Sequence, residues 1–352
     1  MRYNKLGNSG LIVSEICLGA MTFGETSGRF ANVAGLTQAE CTALVKNALD
    51  GGVNFIDTAN VYSEGKSEIA VGEALKALGI ARSDVIVATK AYARMGAGST
   101  RAGNSRKHLL DEIDASLKRM QLDHVDLYQC HGWDTQTPIE ETMGALDDIV
   151  RSGRARYIGV SNWAAWHVSK GQGIANAAHS ERIASIQSYY SLAGRELERE
   201  IVPMMQGEGV GLMVWSPLAG GILSGKYKRA GKGIEGEGRV GKGGPRASLD
   251  LDKTFRIIDT IQPIAKAHKT AVASVALAWI LQRPFVSAVI IGAKRPDQLA
   301  ENLAASDLVL TADEIAKLDA VSELAPEYPG WMFPDQWERR GAASPRRPLP
   351  AK

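Results

Sequence analysis

The chain has little cysteine and no organised use of it. Its three cysteines, Cys17, Cys41 and Cys130, are odd in number and widely spaced. That excludes a disulfide framework, and the spacing matches no zinc-binding pattern, so no metal is expected. Net charge is missing too: 41 Lys and Arg against 39 Asp and Glu leave +2. Such a balance gives no electrostatic case for nucleic acid or an anionic membrane. No basic run with interleaved aromatics suggests base reading. Long apolar runs are also absent. The longest, Ala271–Leu281, is too short to span a bilayer and contains Ser274. The opening MRYNKLGNSG carries no apolar signal region. The expectation is a cytoplasmic protein with neither membrane nor nucleic-acid partners.

What is present is an ordinary globular balance, 45% hydrophobic and 23% charged over 352 residues, enough for a large core. Eight short apolar runs recur: Glu15–Met21, Val53–Ala59, Asp84–Lys90, Val125–His131, Arg156–Asn162, Ile183–Ser191, Val210–Leu218 and Ser287–Ala293. Each is rich in β-branched residues and nearly continuous in apolar character, as strands buried on both faces are. Helical spacing fills the intervals, in Gln38–Gly51, in Arg106–Met120 and after Pro138, where proline suits a first turn and Gly153 a C-terminal cap. Eight alternating units without a composition break predict one (β/α)8 TIM barrel spanning residues 1–352. An open doubly wound sheet is the alternative. The first residues read as a β-hairpin around Asn8-Ser9-Gly10 that plugs the barrel's lower end. Lys226–Ala247 is glycine- and charge-rich and reads as a mobile loop. Residues 324–352 read as a proline-rich tail over the rim, its end disordered.

In such a barrel, chemistry sits where strands end and loops begin. The second run ends in Asp57, with Tyr62 in the loop beyond it; the third ends in Lys90 and the fourth in His131. A phenol is a poor acid at neutral pH, and a nearby ammonium lowers its pKa by stabilising phenolate. Lys90 can do this for Tyr62, Asp57 can balance a buried Lys90, and His131 can orient a polar atom by hydrogen bonding. Such a group exchanges a proton with a carbonyl or alcohol oxygen. A hydride must come from elsewhere, and a nicotinamide cofactor is the expected source. Singly, each residue has a plainer reading: a turn cap, a surface ion pair, a core histidine, a loop tyrosine. Their conjunction at three consecutive strand ends outweighs those readings.

The ordered segments NFIDTANVYSEGKSEIAVGEAL, VIVATK, VDLYQCHGWD, YIGVSNW, IQSYYSL, VWSPLAGGILSGKY and VIIGAKRPDQLAENL make the chain resemble the aldo-keto reductase family, in its bacterial branch similar to the potassium-channel β-subunits. The resemblance implies a (β/α)8 barrel binding NADPH across its C-terminal rim, with NADH the weaker alternative. It implies Tyr62 as proton donor, Lys90 as its tuner, Asp57 as the anchor of Lys90, and His131 as the residue that positions the carbonyl. For the cofactor it implies Thr22, Phe23, Asp57, Ser161, Asn162 and Gln187, with Trp215 stacking on the nicotinamide. Ser216, Leu218, Gly221, Leu223 and Lys226 would line the pyrophosphate, with Ser224 beside them. Gly292, Ala293, Lys294, Gln298, Glu301 and Asn302 would hold the adenosine end. The family often has arginine directly after that Gly-Ala; here Lys294 comes first, then Arg295. A lysine offers a point charge where arginine offers a fork.

Met21, Tyr92, Trp133, Trp163, Trp331 and Phe333 are the expected substrate wall, favouring apolar or ring-containing carbonyl compounds. The expected activity is reversible reduction of an aldehyde or ketone. The alternative is a nucleotide-binding, redox-sensing regulatory subunit. A homo-oligomer is compatible with either.

Overall fold

The computed structural model describes residues 1–26, 33–230, 233–236 and 249–333. It begins with a hairpin. β1 (Tyr3–Lys5) pairs antiparallel with β2 (Ile12–Ser14), Asn4 opposite Val13. There follow β3 (Ile16–Gly19), α1 (Gln38–Asp50), β4 (Phe55–Asp57), α2 (Lys66–Ala77), β5 (Ile86–Ala91), α3 (Arg106–Met120), β6 (Val125–Cys130) and α4 (Ile139–Arg151). The second half runs β7 (Ala155–Ser161), α5 (Ala165–Ala178), β8 (Ile183–Tyr189), α6 (Leu197–Glu208) and β9 (Gly211–Trp215). It continues through β10 (Lys228–Ala230), β11 (Gly233–Glu235), α7 (Leu251–Ala267), α8 (Val272–Leu281), β12 (Val286–Ile291), α9 (Pro296–Ala304) and α10 (Ala312–Ser322).

Among the described residues, eight parallel strands close into a barrel in the order β12-β3-β4-β5-β6-β7-β8-β9. Every barrel strand lies within, or shifted by a residue from, one of the eight apolar runs. Closure leaves no sheet edge, and the surrounding helices bury the outer face, which is why the runs are apolar throughout. The inner face is layered. Cys17, Phe55, Ile86, Ala88, Leu127, Met213 and Ala288 fill the lower interior together with Leu6 and Val13 of the hairpin. The hairpin does plug that end. A Cβ on Gly7, whose φ is +61°, would lie 2.5 Å from the Gly209 carbonyl oxygen, so only glycine lets the hairpin seat this closely.

The helix ends follow local chemistry. Thr37 and Glu40 form a capping box at α1, and the Ser105 hydroxyl accepts the His108 N–H at α3. Pro138 stands one residue before its expected place in the first turn of α4. It is the N-cap, and its carbonyl accepts the Glu141 and Thr142 N–H groups. Gly153 follows α4 with φ +79°, the left-handed position a C-terminal glycine takes.

Part of Lys226–Ala247, the glycine-rich segment, forms a small antiparallel ladder between β10 and β11, with Arg229 opposite Ile234. Residues 231–232 and 237–248 lie outside the described residues. The chain also divides into two compact units, Met1–Ser322 and Glu323–Lys352. Among the described residues no single helix is long and apolar enough to cross a membrane. α7 and α8 reach that length only as a pair bent by 97°.

Candidate active site

Side-chain alternation along the barrel strands decides what faces the interior. In β4, Phe55 points inward, so Asp57 does as well, one layer higher. In β5 the same parity carries Ala88 and then Lys90; in β6, Leu127 and then Gln129. Lys90 and Gln129 are register partners across the β5–β6 ladder. The polar layer therefore rests directly on the apolar lower core.

Lys90 is fully buried, and its ammonium donates to three oxygens: Asp57 Oδ2 at 2.6 Å, the Thr58 carbonyl at 2.7 Å and the Tyr62 hydroxyl at 3.3 Å. Burial by itself would lower the Lys90 pKa. The Asp57 charge, then Tyr62, outweigh burial and raise it above lysine's usual value. The same environment pushes the Cys17 thiol well above its ordinary value, through burial first and Asp57 second.

Tyr62 is buried and opens a short 3-10 turn, Tyr62–Gly65, in which Ser63 and Glu64 hold positive φ. Left-handed backbone at two consecutive non-glycine residues needs support from outside the turn. Here the Ser63 hydroxyl donates to the Phe23 carbonyl at 3.0 Å, and Ser67 donates to the Ala20 carbonyl at 2.7 Å. The turn is thereby fixed to the segment after β3. His131, the first residue past β6, presents its ring edge-on to Tyr62, with centroids 5.6 Å apart and planes at 79°. Its backbone N–H donates to the Ala91 carbonyl. Asp57, Tyr62, Lys90 and His131 thus converge, as their positions at the strand ends predict.

The remaining rim residues form linked groups. Asn162, at φ +59°, accepts the Trp215 indole N–H at 3.0 Å, and its own amide donates to Ser161 Oγ. Ser161 donates to the Gln187 carbonyl. Trp215 is half-buried and packs 5.3 Å from Tyr189. Ser216 Oγ accepts the Gly220 N–H; Gly220 and Gly221 hold φ of +71° and +100° in the turn Ala219–Ser224. Lys226 Nζ lies 5.2 Å from the Tyr227 ring, and the Ser224 hydroxyl donates to the Gly221 carbonyl. At the end of β12, Thr22 donates to the Ala293 carbonyl, the Lys294 N–H to Gln298 Oε1, and Lys294 Nζ to the Ala34 carbonyl. Gly292 and Glu301 are exposed, and Leu218 is half-buried.

Several expected contact residues are more enclosed than their position in sequence implies. Phe23 and Leu223 are fully buried, and Ala293 and Asn302 nearly so. Phe23, Leu223 and Ala293 are buried in the segments that follow barrel strands, and Asn302 is buried within α9. Trp163, expected in the substrate wall, is also buried; its indole N–H donates to the Gly132 carbonyl at 3.1 Å. Arg295 is paired with Asp297. Of the remaining wall, Met21, Tyr92 and Trp133 are half-buried, while Trp331 and Phe333 belong to the second unit and are exposed.

Sequence reasoning missed three residues. Gln129 donates to Asp57 Oδ1 at 3.1 Å; its signal was a lone amide two residues before His131 in VDLYQCH. His167 stacks on Trp133 at 3.6 Å with planes 9° apart, and its Nδ1 accepts the Ala164 N–H. Trp166, 62% exposed, lies against the same histidine.

The Aldo/keto reductase family matches residues 15–323. This chain belongs to the aldo/keto reductase family. It is 37% identical over 335 residues to a probable voltage-gated potassium channel subunit beta of Oryza sativa subsp. japonica, covering 93% of this chain and 98% of that one. It is 36% identical over 338 residues to versiconal hemiacetal acetate reductase of Aspergillus parasiticus, covering 91% and 96%. The family is one of oxidoreductases acting on small-molecule carbonyl compounds with nicotinamide cofactors.

Proposed function

We propose that this aldo/keto reductase uses NADPH to reduce an aldehyde or ketone to an alcohol, with Tyr62 as proton donor. The observation carrying the proposal is the buried Lys90 ammonium, bonded to both Asp57 and the Tyr62 hydroxyl. As Tyr62 gives its proton to the carbonyl oxygen, negative charge grows on the phenol oxygen 3.3 Å from that ammonium. The ammonium stabilises it in an enclosed, weakly screened setting. Asp57 keeps Lys90 charged and in place, and His131, beside Tyr62, orients the carbonyl oxygen. In the reverse direction Tyr62 accepts the proton.

A nicotinamide cofactor, when bound, supplies the hydride. The residues present fit one. Gly220 and Gly221 form a left-handed turn whose backbone a phosphate can approach, and nothing lies closer than 3.9 Å to a Cβ built on Gly292. Gln187 offers an amide beside Asp57, Asn162 offers one beside Trp215, Trp215 offers a flat face, and Lys294 offers a cation for a 2′-phosphate. Half-buried Trp133 and Tyr92 favour apolar or ring-containing substrates.

Similarity to channel beta subunits supports a second reading, in which nucleotide occupancy signals redox state to a partner. Repeated turnover distinguishes the two. Purified protein with NADPH or NADH is mixed with a panel of aldehydes and ketones and cofactor oxidation is followed, with Tyr62→Phe as control. Turnover that vanishes in Tyr62→Phe supports the reductase. Tight NADPH binding with no turnover across the panel favours the second reading.

A further inference from the structure

Three buried side chains inside the barrel form a closed hydrogen-bonded ring. Asp57 Oδ1 accepts from Gln129 Nε2 at 3.1 Å and from Gln187 Nε2 at 3.0 Å, and Gln187 Nε2 also donates to Gln129 Oε1 at 3.3 Å. All three residues are buried. A carboxylate oxygen facing two amides fixes which end of each amide points at it. Both hydrogens of the Gln187 amide are then used, one on Asp57 and one on Gln129. What Gln187 offers a ligand is its carbonyl oxygen. Gln129 closes the ring on its other side: it donates to Asp57 and accepts from Gln187, which are also bonded to each other.

The barrel is built to admit it. Gly159 lies opposite Gln129 in the β6–β7 ladder. A Cβ on Gly159 would fall 3.2 Å from Gln129 Cγ and 2.6 Å from Ser185 Oγ. Glycine leaves the space through which Gln129 reaches across to β4.

We propose that Gln129 is a positioning residue for the proton-donating group: it clamps Asp57 and Gln187 together, holds Asp57 Oδ2 on Lys90, and through Lys90 sets the acidity of Tyr62. This rests on the reductase reading above. Without the Gln129 amide, Asp57 loses one of its two neutral donors and its charge falls more fully on Lys90. The field of the ammonium at the Tyr62 oxygen weakens. Gln187 loses an acceptor and gains freedom to rotate away from the pose it would hold for a nicotinamide.

The test is Gln129→Met, which keeps length and removes both donor and acceptor. The first readout needs no turnover: ultraviolet titration of Tyr62, taken as the difference between each protein and its Tyr62→Phe counterpart. The expected midpoint moves up by about 0.5 pH unit or more. The second is kcat with the best carbonyl substrate, expected to fall about tenfold or more while KM for that carbonyl changes less than about twofold. A lower melting temperature with an unmoved Tyr62 midpoint overturns the proposal, because packing alone would then explain the residue.

Gln129→Glu is the second variant. Its carboxyl can bond Asp57 only when protonated, among Cys17, Asp57, Lys90, Tyr62 and His131. Activity is expected to survive at low pH and disappear as pH rises; a wild-type profile overturns the proposal. If the wild-type protein turns over no carbonyl, the reductase reading fails, while the Tyr62 titration still decides the role of Gln129.

Discussion

Asp57→Asn preserves the shape of a side chain and removes its charge. In the native protein Lys90 is fully buried, 2.6 Å from the carboxylate. Burial weakens the lysine's hold on its proton, but Asp57 and then Tyr62 reverse this and raise its pKa above 10.5. Because the folded pKa is the higher one, the pair's stabilisation is fully present below about pH 10.5 and is lost as pH rises through the folded pKa. Breaking a buried pair by removing one partner costs about 3–5 kcal/mol, a roughly 10²–10⁴-fold loss in the folding equilibrium. In the variant only the Tyr62 hydroxyl and the Thr58 carbonyl remain to oppose burial, without a carboxylate charge, and the folded pKa of Lys90 is expected to drop below its unfolded value. The unfolded chain then binds the extra proton, so the variant regains stability as pH climbs. Urea unfolding of both proteins at about pH 7 and about pH 9.5 reads this directly. The expected loss is about 3–5 kcal/mol at the lower pH and distinctly smaller at the higher. A loss below about 1 kcal/mol, the scale of an exposed pair, or an equal loss at both pH values, refutes the reasoning.

Other outcomes follow from single contacts. A methyl group on Gly72 would sit 2.1 Å from the Met120 carbonyl oxygen, so Gly72→Ala is expected to cost about 1–3 kcal/mol in urea unfolding. His167 accepts the Ala164 N–H on Nδ1, and burial lowers its pKa from 6.5. A depressed folded pKa means stability present above about pH 6.5 and lost as pH falls through the folded value. His167→Phe should flatten the decline in melting temperature between about pH 6.5 and 5; an unchanged slope counts against the role of His167. Lys294→Ala should weaken NADPH binding about tenfold or more and leave NADH nearly unaffected, as measured by fluorescence quenching. Equal effects on both would remove Lys294 from the 2′-phosphate.

The eight strands were legible because a strand buried on both faces must be apolar along its length. Asp57, Lys90 and His131 were legible because they interrupt such runs at their ends. Gln129 interrupts one too, two residues before His131, but its meaning depends on barrel closure. Only closure brings it to Asp57, 72 positions away in sequence, and to Gln187, 58 positions away. Depth was likewise hidden. Phe23 and Trp163 sit in loops beside the site, and a sequence does not say whether a loop aromatic faces a ligand or the core. Trp166 and His167 begin α5, where a periodic pattern reads as a helix surface. Their contacts with Trp133, stacked for His167 and edge-on for Trp166, join the loop after β6 to the start of α5.

The central claim is that Tyr62, tuned by the Lys90–Asp57 pair, delivers the proton. Single-turnover reduction of one carbonyl substrate at saturating NADPH, comparing wild type with Tyr62→Phe, tests it most directly. The account predicts a rate lower by roughly 10²–10⁴-fold with NADPH affinity unchanged. A Tyr62→Phe rate within a few-fold of wild type would contradict it.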